Sequence, residues 1–358
     1  MRARAAERNA LLGHIGRKVS SSKLDALLVS DGKSVQYLTG FFSHGAKILI
    51  PKKGRALYFI DSMNETLARK ELGGLNLECV ISGGVFQALK AFIRNKKIEK
   101  IGVNEKNLSV REYNLLKLCR KGLQAVDASG ILPDMREIKK DFEIRILKRA
   151  AKETTRIWRD VRKNIEPGMS EKVVATMIDT CLRSRGYENA FPTIAAAGKN
   201  TAYPHAIPSS KRLGTGEHLL VDFGIRFNGP NGYCSDLTRT WHNGRIDRQI
   251  RDFSRHVREA HDLAIKKIKP GMCIDTLTKG TNIYFNNNKV GRYVLHGLGH
   301  GIGLDVHEAP FLRKGCPRRL RKGMVLTVEP GLYKTGLGGV REEDMVLVTA
   351  TGCEVLTA

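Results

Sequence analysis

Two pairs of acidic residues have a spacing that suits metal ligands. In the stretch Glu217–Thr240, an apolar segment, a turn-forming cluster and a second strand-like segment predict a β-hairpin. Asp222 and Asp236 are equally far from Gly229, so a hairpin folded about that glycine places their carboxylates opposite each other. Directly opposed like charges destabilise a strand pair. The hairpin therefore predicts a cation between these two acids.

The same pattern recurs once, later in the chain. Glu329 and Glu343 are symmetric about Gly336, and each lies 107 residues after its counterpart in the first hairpin. Carboxylates with one added imidazole suit Mn, Co, Fe or Zn, and two carboxylate pairs are enough to hold two metal ions. For either hairpin alone, an ordinary turn with exposed acids is an equal alternative. The duplicated symmetry favours a dinuclear metal centre.

Three histidines lie in the glycine-rich segment 294–310, at positions 296, 300 and 307. The alternating glycines argue against a helix, so the segment is predicted to be extended or looped, with its backbone able to approach a ligand closely. His205 lies 102 residues before His307, near the repeat offset, which predicts that the two flank the centre as a pair. Five further histidines are predicted to be packed, hydrogen-bonded residues: His14, His44, His242, His256 and His261.

The elements that must position these residues are also duplicated. A long helix with Asp141 as its predicted N-cap is followed by a Pro-Gly-Met turn and by a second helix capped by Ser170. The helix Ile246–Ile268 is followed by another Pro-Gly-Met turn, 103 residues after the first, and by a helix that begins near Ile274. Two copies of helix, turn, helix and acid hairpin predict an α+β domain over residues 136–358, with an internal pseudo-two-fold repeat that brings the four acids together.

Residues 1–135 are predicted to form a separate α/β domain. After a first amphipathic helix, strand-like and helix-like segments alternate, which favours a mostly parallel or mixed sheet. No glycine-rich phosphate loop follows a strand, and the polar residues form no recognisable chemical cluster. The boundary is expected near residues 131–140, where a proline and a charge run precede the long helix. We interpret the first domain as a scaffold or cover.

Composition limits the functional classes. No apolar run approaches the about 18 residues of a membrane span, so a soluble protein is expected, and the arginine-rich start is interpreted as a helix rather than a transit peptide. Seven scattered cysteines without a C-x-x-C favour a reducing cytoplasm. The net charge of +25 is spread along the chain, and no nucleic-acid motif accompanies it. The basic cluster at residues 313–322 is either a solvated loop or an attractor of an anionic substrate group.

Five motifs in order carry a resemblance. HLLVDFG, YCSDLTRT, HGLGHGIGLDVHE, TVEPG and REED together resemble the M24 metallopeptidases of the pita-bread fold, in particular the Xaa-Pro group of aminopeptidase P and prolidase. The stretch LDALLVSDGKSVQYLTGF resembles the creatinase-type N-terminal domain. The resemblance covers nearly the whole chain, and it implies an α/β creatinase-like domain followed by a pita-bread catalytic domain.

The resemblance also implies roles for individual residues. The metal ligands would be Asp222, Asp236, His300, Glu329 and Glu343, with Asp236 and Glu343 shared by two divalent ions, of which Mn or Co is favoured. An activated water would attack the scissile carbonyl, and Glu329 would relay its proton. His205 and His307 would orient the substrate and stabilise the tetrahedral intermediate. His296 would line the pocket for the proline ring, and Arg341 would support Glu343.

The expected function is therefore a divalent-metal-dependent peptidase that cleaves the bond between an N-terminal residue and proline. Its partner would be a peptide with proline in the second position, and the resemblance implies a homodimer in the cytoplasm, with no membrane and no specific nucleic acid. Three positions depart from the family pattern: the stretch 229–231, Ala206 and Glu342. Aminopeptidase P and prolidase both stay open, as do a metal-independent creatinase-like hydrolase and a non-catalytic protein of this fold that binds nucleic acid.

Overall fold

The computed structural model describes residues 2–229, 231–242 and 244–358. It divides into two compact units, Met1–Met135 and Arg136–Ala358. Within the described ranges, no helix is both long enough and apolar enough to cross a bilayer.

The first unit is built on a six-stranded mixed sheet with strand order β4-β3-β2-β1-β5-β6. The pairs β3–β4, β1–β5 and β5–β6 are parallel, whereas β2 is antiparallel to both of its neighbours. This arrangement confirms the predicted α/β class. In chain order, the elements of residues 2–137 are α1 (Arg2–Ser21), β1 (Ala26–Val29), α2 (Gly32–Thr39), β2 (Lys47–Pro51), β3 (Ala56–Ile60), α3 (Glu65–Glu71), β4 (Leu77–Ile81), α4 (Val85–Asn95), β5 (Lys100–Val103), α5 (Val110–Lys117), β6 (Gln124–Asp127) and α6 (Ile131–Glu137).

The second unit contains four long helices and several short antiparallel strands, as the α+β prediction requires. The strand orders of its sheets are β12-β9-β8, β11-β10-β7, β14-β13-β15-β18-β19 and β16-β17. The elements are α7 (Asp141–Arg162), α8 (Glu171–Ser184), β7 (Glu188–Asn189), β8 (Ile194–Ala197), β9 (His218–Phe223), β10 (Ile225–Phe227), β11 (Tyr233–Cys234), β12 (Leu237–His242), α9 (Arg248–Lys267), α10 (Ile274–Asn287), β13 (Gly299–Gly301), β14 (Glu308–Leu312), β15 (Val325–Val328), β16 (Gly331–Lys334), β17 (Gly338–Arg341), β18 (Asp344–Val348) and β19 (Cys353–Val355).

The predicted duplication is visible in equivalent backbone contacts of the two halves. The amide of Gly168 donates to the carbonyl oxygen of Leu213 at 2.7 Å, and the amide of Gly271 donates to that of Leu320 at 2.8 Å. Each leucine in turn donates to the methionine of its Pro-Gly-Met turn at 2.8 Å. Both turns therefore perform the same task, which is to tie a helix pair to the strand that leads toward the acid hairpin.

Each helix pair buries one face against its own strands. In the first half, Ile157 of α7 and Ile178 of α8 belong to the same buried cluster as Val221 of β9. In the second half, Leu277 of α10 shares a cluster with Leu326 of β15. Burial of such side chains typically stabilises a fold by about 1.5–3 kcal/mol each. The strands are thereby fixed against the helices, and their polar ends are left to form a site.

The start of α7 differs from the prediction by one residue. Lys140, not Asp141, is the N-cap, and Asp141 is the first helical residue. The reason is local, because the carboxylate of Glu143 accepts a hydrogen bond from the Lys140 amide at 2.9 Å and holds Lys140 in an extended conformation. The prediction that Ser170 caps α8 is correct, since its hydroxyl accepts from the amide of Val173 at 3.3 Å.

The first acid hairpin has a different register from the one predicted. Asp222 pairs with Thr238, and not with Asp236, because both ladders of this hairpin are centred one residue beyond Gly229. Between the ladders the two backbones approach closely, and a Cβ added to Gly224 would overlap the carbonyl oxygen of Ser235. The two acids are consequently diagonal neighbours on one face. Pro230, within the stretch singled out as a departure, lies outside the described residues.

The second acid hairpin has the predicted register. Val328 pairs with Asp344 on one side of the acids, and Gly331 pairs with Arg341 on the other. Both ladders are symmetric about Gly336, so Glu329 and Glu343 occupy corresponding positions in the gap between them.

Candidate metal centre

The nine residues singled out in the sequence line one cavity of about 530 Å³ in the second unit. The acids approach it from the strand ends and interruptions of the two hairpins, and the histidines approach it from loops. The segment 294–310 is extended or looped, as predicted, and contributes only the short strand β13 and part of β14. The nine residues are His205, Asp222, Asp236, His296, His300, His307, Glu329, Arg341 and Glu343.

Three side chains from different elements converge most closely. One ligand atom each from Asp236, His300 and Glu343 lies within 4.8 Å of the others, and all three residues are buried. The Nε2 atom of His300 is 3.8 Å from Asp236 Oδ2 and 3.4 Å from Glu329 Oε1. Carboxylate oxygens around an imidazole nitrogen form the donor set of a divalent metal site.

The backbone around His300 fixes which ring nitrogen faces the acids. Its amide donates to Thr327 Oγ1 at 3.1 Å, and its Nδ1 lies 3.1 Å from the carbonyl oxygen of Gly301. A proton on Nδ1 satisfies that carbonyl and leaves the Nε2 lone pair directed at the acids. Gly299 permits this approach, because a Cβ there would lie 2.1 Å from the carbonyl oxygen of Thr327.

The carboxylates repel one another strongly in this dry site. Burial raises the pKa of Asp236 well above its usual value, and the charges of Glu343, Asp222 and Glu329 raise it further. Burial likewise raises the pKa of Glu343, and it raises the pKa of Glu329 to about 7. Among the described residues, Oδ1 of Asp222 and Oδ1 of Asp236 are buried without a hydrogen-bond partner. These oxygens and charges fit bound divalent cations.

Arg341 contacts the acids, but its direct partner is Asp222 and not the expected Glu343. Its guanidinium contacts Asp222, and its Nε donates to Thr238 Oγ1 at 3.0 Å. The Thr238 hydroxyl donates to Glu343 Oε2 at 2.6 Å. Arg341 therefore supports Glu343 only through Thr238, because the strand places its guanidinium beside the first hairpin.

Three further histidines flank the acids, and two of them are neutral imidazoles. Burial lowers the pKa of His296 to about 4, and its Nε2 lies 2.8 Å from the hydroxyl of Tyr333. Burial also lowers the pKa of His307, whose ring centroid is 4.3 Å from that of His300. His205 lines the same cavity. A neutral imidazole can donate one hydrogen bond to a substrate oxygen and accept another.

Sequence reasoning missed three polar residues that orient these groups: Thr238, Thr327 and Tyr333. Thr238 and Thr327 each lie two residues from an acid ligand, so strand alternation could have placed them on the same face. For Tyr333 the sequence gives no comparable indication. Its position depends on how the second hairpin folds back, which places its hydroxyl 3.0 Å from Arg341 Nη1.

The departures from the family pattern have different outcomes. Ala206 lines the same cavity as the acids. Glu342 faces away from it, toward Arg239 at 3.7 Å, as strand alternation predicts. Of the basic cluster at residues 313–322, Arg313 lines the cavity, whereas Arg318 contacts the buried carboxylate of Glu137.

Comparisons with known proteins agree with this geometry. The Xaa-Pro dipeptidase of Pyrococcus furiosus is 29% identical over 340 residues, which cover 95% of each chain. The solved Xaa-Pro dipeptidase from Bacillus anthracis is 32% identical, with a TM-score of 0.90 over 99% of this chain and 97% of that one. The X-Pro aminopeptidase from Thermotoga maritima is 29% identical, with a TM-score of 0.86 over 96% and 97%.

Two family models cover nearly the whole chain. Residues 12–138 match the creatinase/prolidase N-terminal domain, and residues 145–350 match metallopeptidase family M24. The resemblance seen in the five motifs is confirmed, as is the fold it implied, a creatinase-like domain followed by a pita-bread catalytic domain. The chain is a peptidase of a metal-dependent type, and it belongs to metallopeptidase family M24.

Proposed function

We propose that this protein hydrolyses the bond between an N-terminal residue and proline, and that Xaa-Pro dipeptides are its substrates. The observation that carries the proposal is the convergence of two carboxylate pairs and His300 in one buried cavity, flanked by three further histidines. The names of its relatives, which are Xaa-Pro dipeptidases and an X-Pro aminopeptidase, support the same reaction.

Two divalent metal ions, with Mn or Co favoured, would be held by five residues. Such ions polarise the peptide carbonyl and lower the pKa of water toward neutrality. The five ligands are Asp222, Asp236, His300, Glu329 and Glu343.

The side chains around the ligands move protons and hold the substrate. Glu329, at the cavity wall, takes the proton of the attacking water and delivers it to the proline nitrogen as the bond breaks. His205 and His307 donate hydrogen bonds to the carbonyl oxygen as it becomes negative. His296 is held by Tyr333 at 2.8 Å and lines the space for the proline ring. Arg341 keeps Asp222 and Thr238 in place.

Arg313 is the basis for preferring dipeptides over longer peptides. It is the member of the 313–322 cluster that lines the cavity, so its guanidinium can pair with the free carboxylate that follows proline in a dipeptide. A longer substrate carries no charge at that position. Substitution Arg313→Gln is expected to reduce kcat/KM for Xaa-Pro about tenfold or more and to leave Xaa-Pro-Yaa unaffected.

The test combines metal analysis with paired substrates. The purified protein, loaded with Mn or Co, is expected to bind two ions per chain and to cleave Leu-Pro faster than Leu-Pro-Gly. Asp236→Ala is expected to bind fewer ions and to lose activity by a factor of about a thousand or more, because a shared ligand is lost. A loaded wild-type protein that cleaves neither peptide contradicts the proposal. Faster cleavage of the tripeptide assigns aminopeptidase P activity instead.

The two other hypotheses make different predictions. A creatinase-like hydrolase would keep its activity in the presence of a chelator, and a nucleic-acid-binding protein would bind nucleic acid in a salt-dependent manner even as Asp236→Ala. The presence of all five ligand residues in one cavity opposes both.

We also propose a cytoplasmic homodimer. The family resemblance supports the dimer. The seven cysteines, which are all free in the described structure, support a reducing cytoplasm. Light scattering of the purified protein at micromolar concentration is expected to give twice the chain mass of 39.8 kDa. A single-chain mass at that concentration contradicts the dimer.

A further inference from the structure

The loop that carries His307 is held by an ion-pair network behind the catalytic cavity. Residues 302–307 connect β13 to β14, and the strand pairing shifts register between His300 and Gly301 at the start of this loop. The loop places the His307 ring 4.3 Å from that of His300. Its conformation therefore decides where the His307 imidazole lies relative to the acids.

Both acidic neighbours of His307 are bound to the same guanidinium. Arg136 Nη2 lies 2.6 Å from Asp305 Oδ2, and it also contacts the Glu308 carboxylate. Lys139 Nζ lies 2.8 Å from the other oxygen of Glu308. Arg136 and Lys139, which lie within one four-residue segment, thus bind acidic residues on both sides of His307.

The network is dry around Glu308, whereas the Asp305 side chain is 41% exposed. The side chains of Arg136, Lys139 and Glu308 are 11%, 1% and 9% exposed. Burial opposes ionisation of Glu308, yet Lys139 and Arg136 hold its pKa below the usual value, so the carboxylate is charged. Removing one partner of a buried pair leaves the other charge uncompensated, which forces the surrounding chain to move.

A close packing contact adds to the ion pairs. The carboxylate of Glu308 lies against the backbone of Gly303, where a Cβ would be 2.5 Å from Glu308 Oε1. The beginning and the end of the loop are thereby closed on each other. None of these contacts reaches the cavity itself, because Arg136, Lys139 and Glu308 are absent from its lining.

We propose that Arg136, assisted by Lys139, is a positioning residue that fixes the His307 imidazole through Asp305 and Glu308. This inference rests on the proposed function, in which His307 donates to the carbonyl oxygen of the substrate. Donors to a developing charge act only from a fixed position, so a small displacement of the loop reduces kcat more than it raises KM.

The test is a double-mutant cycle in the metal-loaded protein. Arg136→Met is expected to lower kcat/KM for Leu-Pro about 10–100-fold, the usual loss when a group that orients an active-site residue is removed. In a His307→Ala background the same substitution is expected to change kcat/KM less than about twofold, because the residue through which it acts is gone. Arg136→Lys, which keeps the charge, is expected to restore most of the loss.

Arg321→Met is the matched control. It also removes one guanidinium from a buried carboxylate, that of Glu137, at 2.9 Å, and Glu137 pairs with Arg321 and Arg318, which both lie outside the His307 loop. Its kcat/KM is expected to stay within about twofold of wild type. All variants are compared for metal content and melting temperature. If Arg136→Met does not fold, Glu308→Gln, which keeps the side-chain shape, replaces it in the cycle.

A readout that needs no activity separates this inference from the proposed function. Hydrogen exchange of peptides covering residues 302–309 is expected to be faster in Arg136→Met than in wild type and Arg321→Met. Unchanged exchange there, or independent effects of Arg136→Met and His307→Ala in the cycle, overturns the positioning role. If the wild type cleaves no Xaa-Pro peptide, the proposed function fails, while the exchange experiment still decides the role of Arg136.

Discussion

Thr238 joins the two acid pairs at the scale of a single hydroxyl group. Its oxygen accepts a hydrogen bond from Arg341 Nε at 3.0 Å, and its hydroxyl donates to Glu343 Oε2 at 2.6 Å. Thr238, on the first hairpin, therefore links Arg341 to Glu343, which are both on the second. A valine has the same shape and neither hydrogen bond.

We expect Thr238→Val to weaken metal binding about 10–100-fold, because Glu343 loses the donor that orients it. Titration of the metal-free protein with Mn or Co, followed by calorimetry, measures the change. Thr238→Ser keeps the hydroxyl and is expected to bind metal nearly as wild type does. Equal affinity of Thr238→Val and wild type would show that Glu343 is oriented by other contacts.

His218 provides a pH-dependent contribution to stability away from the ligands. Burial, with the charge of His242 adding to it, lowers the pKa of His218 to about 4, and its Nε2 lies 2.8 Å from Thr201 Oγ1. An unfolded histidine takes up a proton near pH 6.5, whereas the folded one stays neutral until about pH 4. The stability is thus complete above pH 6.5 and is lost as the pH falls toward 4.

The unfolding free energy of the wild type is expected to fall between pH 7.5 and pH 4.5, and His218→Gln is expected to make that fall smaller by about 2–3 kcal/mol. Urea unfolding of the metal-free protein and of the variant at the two pH values measures it. The same loss in both proteins would mean that His218 is already protonated in the folded state.

Paired spacing about a glycine predicted that four acids lie together, and the structure brings all four to one cavity. The choice of His300 among three histidines of the glycine-rich segment came from the family resemblance. The partners Thr238 and Tyr333 could not be assigned, because a hydroxyl has no characteristic spacing and its role depends on which strand folds beside it.

Among the elements, the short strand β13 shows how closely the backbone must approach the site. Gly299 lies against Thr327, whose carbonyl oxygen would be 2.1 Å from an added Cβ, and the next residue is His300. A side chain at Gly299 must therefore push β13 away from β15 and displace the imidazole.

Gly299→Ala is expected to destabilise the protein by about 2 kcal/mol and to reduce metal affinity at least tenfold. Chemical unfolding and metal titration measure the two effects. Gly280→Ala, within α10, is the control, since its nearest neighbour is the flexible end of Lys267 at 3.3 Å. There, alanine is expected to stabilise by about 0.5–1 kcal/mol. Unaltered metal binding by Gly299→Ala would show that β13 tolerates a side chain.

The elements also show where sequence patterns stop being sufficient. Periodicity located α7, α8, α9 and α10 to within a few residues, because one face of each helix is apolar. The predicted register of the first hairpin was wrong because both of its ladders are centred one residue beyond Gly229, and the spacing of the acids does not show which turn residue is the centre.

For the whole molecule, metal binding and folding of the second unit are expected to be coupled. The raised pKa values of Asp236 and Glu343 show that the acids are poorly compensated by protein groups, so bound cations should stabilise the folded state. At a free metal concentration about 100 times Kd, this amounts to about 2.7 kcal/mol.

Chelation is therefore expected to lower the melting temperature of the wild type by about 5–10 °C. Scanning calorimetry with and without chelator measures the shift. Asp236→Ala is the control, and its melting temperature is expected to change little on chelation because it binds fewer ions. An unchanged wild-type melting temperature would contradict the coupling.

The internal repeat of the second unit could be predicted from the sequence. The duplication followed from matched offsets of turns and acids, and the structure repeats the same backbone contacts at Gly168 and Gly271. Which cations contact Asp305 and Glu308 could not be predicted, because it depends on contacts between segments more than 160 residues apart, such as Arg136 and Asp305.

The proposed metal ligands are divided between two hairpins, so metal binding would report whether the two halves of the second unit are assembled. Asp222 and Asp236 come from one half of the second unit, and Glu329 and Glu343 come from the other. Neither polypeptide produced by cutting the chain between β12 and α9 would hold a complete set of donors. High-affinity metal binding would return only when the two fragments associate. Metal binding would therefore measure the association of the two fragments.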